Sequence, residues 1–238
     1  KEDLAMCAHY ADFSETDSGS VYIKFGDDKT DLGTGDKPLN ISSNYDIRYD
    51  GPTTGDSQWL GRSVAFGDFD GDGKDDLAMS AERADFSETD SGSVYIVYGN
   101  ASRPSGNLGL ESGNYDIRYD GPTTGDEQRL GNSVAFGDFD GDGKDDLAMG
   151  AYMSDFNGET NSGSVYIVYG NATRPSGNLG LESGNYDIRY DGPTTGTNQY
   201  LGRSVGFGDF DGDGREDLAM GAYMADFNGE TDSGSLYI

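Results

Sequence analysis

The sequence predicts an all-β fold, a β-propeller of four-stranded antiparallel blades, and three observations carry that expectation. Residues 63–73 return unchanged at 133–143 and, with Gly206 in place of Ala, at 204–214, giving periods of 70 and 71 residues. Self-similarity at a fixed spacing marks a repeated structural unit. Each unit holds four short strand-like runs, and four strands repeated radially define a propeller. Finally, the 238 residues include 38 Gly, 16 Tyr and 11 Phe, with no useful stretch of helical 3.6-residue periodicity. Aromatics at that level argue against disorder, and the glycines argue for many tight turns. A Greek-key sandwich is the competing all-β reading, but it has no need of near-identical repeats.

Within one unit the expected strands are 60–69, 76–81, 92–98 and 115–120. The first is rich in Gly, Ser and Ala, as an inner strand crowded near a central axis must be. The second, centred on Leu77-Ala78-Met79, reads as buried on both faces. The fourth alternates Tyr115, Ile117 and Tyr119 against Asp116, Arg118 and Asp120, which predicts a half-exposed outer edge with its polar side outward. Residues 1–6 correspond to 74–79, a first period of 73, so the blades run 1–59 (no inner strand), 60–129, 130–200 and 201–238 (no outer strand). Length differences between copies fall between strands two and three or three and four, where loops absorb them.

The turn joining strands one and two carries the chemistry. Asp68, Asp70, Asp72 and Asp76 occupy positions 1, 3, 5 and 9 of a nine-residue loop whose remaining turn residues include Gly71 and Gly73. A hard cation such as Ca2+ takes six to eight oxygen ligands. Alternate carboxylates of a tight turn converge on one point, and the carbonyl of Lys74 at position 7 is expected to add another oxygen. The equivalent sets are Asp138, Asp140, Asp142, Lys144 and Asp146, then Asp209, Asp211, Asp213, Arg215 and Asp217. The sequence therefore predicts three complete Ca2+ sites, while the first copy keeps only Lys1 and Asp3. The alternative is an acidic turn without metal, in which four crowded carboxylates repel one another. An EF-hand is excluded, because position 12 is Met79 and strands flank the loop.

Charge and composition narrow the partners. The formal net charge is −28, from 44 acidic and 16 basic residues, which disfavours nucleic acid and anionic lipid. No run is long enough for a membrane-spanning helix, so direct membrane insertion is not expected. Cys7 is the only cysteine and takes the position of Ser80, Gly150 and Gly221, which predicts a small buried residue. His9, the only histidine, is expected in a solvent-facing loop, and no catalytic triad can be assembled around it. Catalysis is not expected. The carboxylates of the strand two–three loop (Asp85, Glu88, Asp90) offer at most a weaker second cation site.

The run Leu60-Gly61-Arg62-Ser63-Val64-Ala65 through Asp76-Leu77-Ala78-Met79, followed by Gly92-Ser93-Val94-Tyr95-Ile96, resembles an FG-GAP repeat, the blade of integrin α-subunit propellers and of many bacterial surface proteins. The "FG" stands here as Leu-Gly, and the "GAP" as Ser80-Ala81-Glu82 or Gly-Ala-Tyr. The resemblance covers essentially the whole chain and implies calcium at the Asp sets above. It also implies an extracellular or cell-surface location and a ring of seven blades, of which this chain supplies about three and a half. Because Lys1 starts at position 7 of a loop, continuation of the polypeptide is expected, with strands from neighbouring chains as the other way to complete the blades. In related propellers ligands bind the face opposite the calcium. Trp59, Arg129 and Tyr200 are equivalent positions there and differ in each copy, through selection for binding or through drift. The expected role is adhesion or matrix interaction with a protein or glycan ligand; a structural unit of a filament or coat and a carbohydrate-binding module are the alternatives.

Overall fold

The computed structural model describes residues 2–26, 37–53, 57–100, 102, 105–123, 127–156, 158–173, 175–194, 196–227 and 230–238. Lys1 and the longer connection of the first repeat at 27–36 lie outside them. Sixteen strands follow in order: β1 (Leu4–Ala8), β2 (Ser20–Lys24), β3 (Ile47–Asp50), β4 (Leu60–Gly67), β5 (Asp76–Ala81), β6 (Ser93–Val97), β7 (Gly106–Gly109), β8 (Ile117–Asp120), β9 (Leu130–Gly137), β10 (Asp146–Ala151), β11 (Ser164–Val168), β12 (Gly177–Gly180), β13 (Ile188–Asp191), β14 (Leu201–Gly208), β15 (Asp217–Ala222) and β16 (Ser235–Tyr237). They form four sheets, ordered β1-β2-β3-β7, β4-β5-β6-β8-β12, β9-β10-β11-β13 and β14-β15-β16. These are propeller blades, and the fold is all-β.

Packing runs between blades. One apolar core joins the first two sheets through Val21, Ile47, Tyr49, Leu60, Met79 and Tyr95. A second joins the middle pair through Phe69, Ile96, Ile117, Leu147, Met149 and Tyr166, and a third joins the last pair through Ile167, Leu201 and Met220. Strands β5 and β10 are buried along their whole length, as two covered faces require. The Leu-Gly pair opening each inner strand has a steric reason. Gly131 lies at φ +86°, and a Cβ there would come within 2.6 Å of Ser80 Cβ in the preceding blade. Only glycine permits that approach together with that backbone.

Two expectations change at the sheet edges. Strand four is not an edge in the first two blades. β7, from the second repeat, pairs in parallel with β3 through Ile47↔Gly106 to Asp50↔Gly109, and β12, from the third, pairs likewise with β8. Each of these Gly-Asn-Leu-Gly segments completes the blade before its own, so sheet and repeat boundaries do not coincide there. The polar side of strand four also faces protein. The Arg118 guanidinium bonds Asp120 at 2.6 Å and lies 3.5 Å over the Phe86 ring, while Ser93 Oγ donates to Asp120 at 2.8 Å. Arg48 on Phe13 and Arg189 on Phe156 repeat the arrangement. Cys7 is the other correction: it is exposed, because β1 is the edge of its sheet and no inner strand covers it as β4 and β9 cover Ser80 and Gly150.

Leu108 of β7 packs on the core between the first two sheets. Replacing Leu108 by Asp places a charge against that core and should cost about 1–3 kcal/mol. Amide exchange should accelerate in β3 while β9 to β11 keep their protection. Equal exchange in β3 before and after the substitution would show that the parallel pairing does not hold the blade edge.

Candidate functional site

The acidic loops hang between β4 and β5, β9 and β10, and β14 and β15, all at one end of the blades. Gly71 and Gly73 take φ +73° and +83°, the left-handed bends that let so short a loop close. The carboxylates then tie the turn together. Asp68 Oδ2 accepts the Gly73 amide at 2.9 Å, Asp70 Oδ1 the Asp72 amide at 3.0 Å, and Asp72 Oδ1 the Lys74 amide at 3.0 Å. These local side-chain-to-backbone bonds recur in the second and third loops.

Ligand oxygens of Asp68, Asp70 and Asp76 lie within 4.8 Å of one another, as do those of Asp138, Asp140 and Asp142 and of Asp209, Asp211 and Asp217. Asp72, Asp146 and Asp213 stand outside these trios. Asp72 pairs with Lys74 Nζ at 2.5 Å, and Asp213 accepts the Arg215 amide at 2.9 Å. Asp146 is committed to the backbone, taking amides of Phe139 and Asp140 on one oxygen and of Gly170 on the other. Asp76 does the same with Asp70 and Gly99. The ninth position therefore clamps the start of the loop to the end of strand three as well as facing the cluster.

The donor set fits a hard divalent cation. Every side-chain donor is oxygen, and the buried Oδ1 atoms of Asp68 and Asp138 have no hydrogen-bond partner. Burial, with added repulsion from Asp70, pushes Asp76 up to about 7 despite the Gly99 amide; burial pushes Asp146 up to about 6. A cation held in either loop would oppose the shift there by favouring the carboxylate form. In the described residues of the strand two–three loop, Asp85 instead closes the turn on the Asp90 amide, and no second cluster of ligands forms there.

One contributor was missed from sequence. The loops are chained: Asp145, at position 8, accepts the Asp68 amide at 2.8 Å through its carboxylate and donates its own amide to the Asp68 carbonyl at 3.0 Å. Glu216 donates its amide to Asp138 in the next pair. The Lys144 stem lies across Gly71, and Arg215 across Gly141, so the basic seventh residue covers the preceding loop. The signal was present as an acidic eighth position in every copy (Glu2, Asp75, Asp145, Glu216). Position 8 acts on the neighbouring loop and not on its own, so the spacing within one loop does not announce it.

At the opposite end of the blades, Trp59, Arg129 and Tyr200 each precede an inner strand, and each amide donates to the preceding blade at 3.0 or 3.1 Å. All three are left-handed, at φ +59°, +60° and +56°. For bulky residues this conformation costs roughly 1–2 kcal/mol, which Gly would avoid. Trp59 and Arg129 line a cleft of about 500 Å³, together with His9, Arg62, Glu82 and Arg203. Tyr200 stands behind it, between Tyr152 at 5.8 Å and Tyr223 at 5.4 Å. His9 is thus half-buried in this cleft, its ring 4.2 Å from Tyr10 and 6.0 Å from Trp59, where a solvent-facing loop was expected.

Interlocked blades of three to five strands with an acidic loop at one end define a repeat propeller, and the family is identified by its repeats. The FG-GAP repeat model matches residues 60–97, 130–168 and 201–238; the chain carries three FG-GAP repeats. It is 32% identical over 173 residues, 72% of its length, to the phosphatidylinositol-glycan-specific phospholipase D of Rattus norvegicus, and 34% identical over 112 residues, 46% of its length, to that of Mus musculus. The chain spans 19% and 13% of those proteins, less than a fifth of each.

Two outcomes follow from the loops. The raised values of Asp76 and Asp146 mean that the metal-free folded chain binds more protons than the unfolded chain between about pH 4 and about pH 7. Its melting temperature should therefore fall, through these groups, as pH rises across that window in chelator. With calcium the slope should invert, since protons now compete with the ion. Parallel slopes in both conditions would remove Asp76 and Asp146 from the metal site. Replacing Asp145 by Ala should weaken divalent-cation affinity at the 68–76 loop by about tenfold while leaving the 209–217 loop unchanged, as read by titration calorimetry. This follows from loss of one charge-assisted hydrogen bond to Asp68.

Proposed function

We propose that this chain is a calcium-stabilised, extracellular binding module. Calcium occupies the three acidic loops, and a partner is held on the face at the other end of the blades. The observation that carries this reading is where the repeats differ. They are nearly identical along their strands and metal loops, yet Trp59/Arg129/Tyr200, Glu82/Tyr152/Tyr223, Arg83/Met153 and Arg62/Asn132/Arg203 change from copy to copy and gather at one face. Unselected change would have no reason to converge on one mouth, nor to hold Trp, Arg and Tyr in a backbone conformation that opposes them.

The phospholipase activity in the relatives' name belongs to proteins of which this chain matches a small part, and it is not carried over to this module. The outer edge of β13 supports assembly into something larger. Tyr190 on it is 37% exposed, whereas Tyr119, covered by β12, is 1% exposed. A Gly-Asn-Leu-Gly strand from a further repeat or a neighbouring chain would pair there as β7 and β12 pair elsewhere.

Two measurements test this. Excess chelator should lower the melting temperature and calcium should restore it, by about 2.7 kcal/mol per site at a hundredfold excess over Kd; a melt indifferent to both sinks the calcium reading. Replacing Trp59 and Tyr200 together by Gly relieves two left-handed side chains, so stability in calcium should change little. Retention of the chain on cell-surface and matrix preparations should be lost. Full retention by that variant would place the partner on another surface.

A further inference from the structure

The cleft beside Trp59 has a chemistry unlike the rest of this acidic chain. Four of its lining residues are arginines (Arg62, Arg83, Arg129 and Arg203), against one carboxylate, Glu82. Two of the guanidiniums converge on a neutral group: Asn132 Oδ1 accepts from both Arg62 and Arg203, and Arg62 also reaches Glu82 at 3.3 Å. Arg129 is nearly shut from solvent and pairs with Asp90 at 3.0 Å. The Arg83 Cζ lies over the Trp59 ring, 3.7 Å from its centroid, and the Tyr10 ring meets Trp59 edge-on at 5.2 Å with most of its own surface open.

Polar atoms here are left without partners. Trp59 Nε1, Arg83 Nε and Arg129 Nε are buried donors that bond to nothing, and Glu82 Oε2 is a buried acceptor in the same state. Folding alone does not reward such an arrangement, because buried polar groups are ordinarily satisfied. A ligand that satisfied them would need an acidic group for the guanidinium forks, hydroxyls able both to accept from N–H and to donate to Glu82, and an apolar face for the aromatic rings.

We propose that this cleft binds a carboxylated sugar, a uronate unit of an acidic polysaccharide. The inference rests on the reading of this face as the binding face. The planar carboxylate takes a guanidinium fork bidentately. The ring hydroxyls meet Glu82 and the unpaired N–H groups, and the C–H face of the ring lies on Trp59 or Tyr10 once Arg83 moves off the indole. An acidic peptide would satisfy the forks and could donate backbone N–H groups to Glu82, but its Asp and Glu side chains bring no rigid C–H face to the aromatic rings. A cleft of about 500 Å³ is within the ordinary range for a small ligand. Long polyanions meet the repulsion of a −28 chain, so recognition is of one or two units at a chain end.

Trp59 is the only tryptophan, so its emission reports on this cleft alone. The calcium-loaded full chain is titrated with di- and trisaccharides of galacturonate, glucuronate and mannuronate, with their carboxyl-reduced neutral counterparts, and with oligoglutamate. At least one uronate should change the emission saturably and bind at least tenfold more tightly than its neutral counterpart. Arg203→Gln should cost a further tenfold or more with melting in calcium unchanged. Tyr10→Ala, at an exposed ring, gives a second decision should Arg203→Gln disturb the fold. No saturable response to any uronate overturns the proposal, as does oligoglutamate binding equal to the best uronate or full affinity in Tyr10→Ala with Arg203→Gln. Retention on cell-surface preparations in the same chain keeps the binding face itself a separate question.

Discussion

A twisted four-stranded sheet leaves an outer edge of unpaired amides and carbonyls, and this chain covers that edge in its first two blades by passing a strand back from the second and third repeats. The pairing of β7 with β3 and of β12 with β8 ties the first three sheets together, and the other contacts between those blades are made at that placement. Gly131 can approach Ser80 only at that spacing, and Phe69 can enter the core shared by the second and third sheets only where those sheets meet. At one end of the blades the same placement brings Asp145 onto Asp68. At the other it brings Trp59 between His9 of the first repeat and Arg83 of the second. The arginine cleft is therefore a property of a blade boundary, whereas each acidic cluster forms within one loop and is braced across the boundary by its neighbour.

Charge is sorted between those faces. The loop end concentrates carboxylates beyond what local hydrogen bonding can absorb, since Asp68 Oδ1 and Asp138 Oδ1 remain buried without donors. The opposite end concentrates arginine in a chain where acids outnumber bases by 44 to 16. Buried unpaired oxygens at one end and buried unpaired N–H groups at the other are complementary departures from ordinary satisfaction, one suited to a cation and the other to an anion. The sheets between them are satisfied by a repeating internal device, Arg on Phe with Asp and Ser, which keeps strand-four charge from contributing to either face.

Much of this was legible in the residues because repetition multiplies a weak signal. Strand two was bounded correctly at 76–81, since Leu77-Ala78-Met79 is apolar without alternation and a glycine-rich loop precedes it. The inner strand was read two residues too long, because Asp68 and Phe69 already belong to the loop. β7 and β12 were not seen: Gly-Asn-Leu-Gly has low strand propensity, and its partner lies in another repeat, so no local pattern announces it. The outward polar face of strand four was misjudged for a related reason. Asp116, Arg118 and Asp120 look solvated in one dimension, whereas Phe86 from a distant loop covers the arginine. Cys7 failed differently: its equivalents are buried by an inner strand that β1 does not have beside it. The acidic loops were legible as a set, but which of their carboxylates cluster and which take backbone amides was not, because loop conformation decides it.

The backward-passed strand has a consequence for how such a molecule can vary in size. Two of the three junctions between blades are stitched by the same segment at the same register, and the periods of 70 and 71 residues that follow the longer first one differ by a single residue. Loss or duplication of one whole period conserves every stitch, whereas a cut of any other length strands a Gly-Asn-Leu-Gly segment with no edge to cover. Copy number is consequently the cheap axis of change for this architecture. Each such event also places a different pair of copies side by side, so that a new combination of Trp, Arg and Tyr meets across a boundary whose framework has not altered.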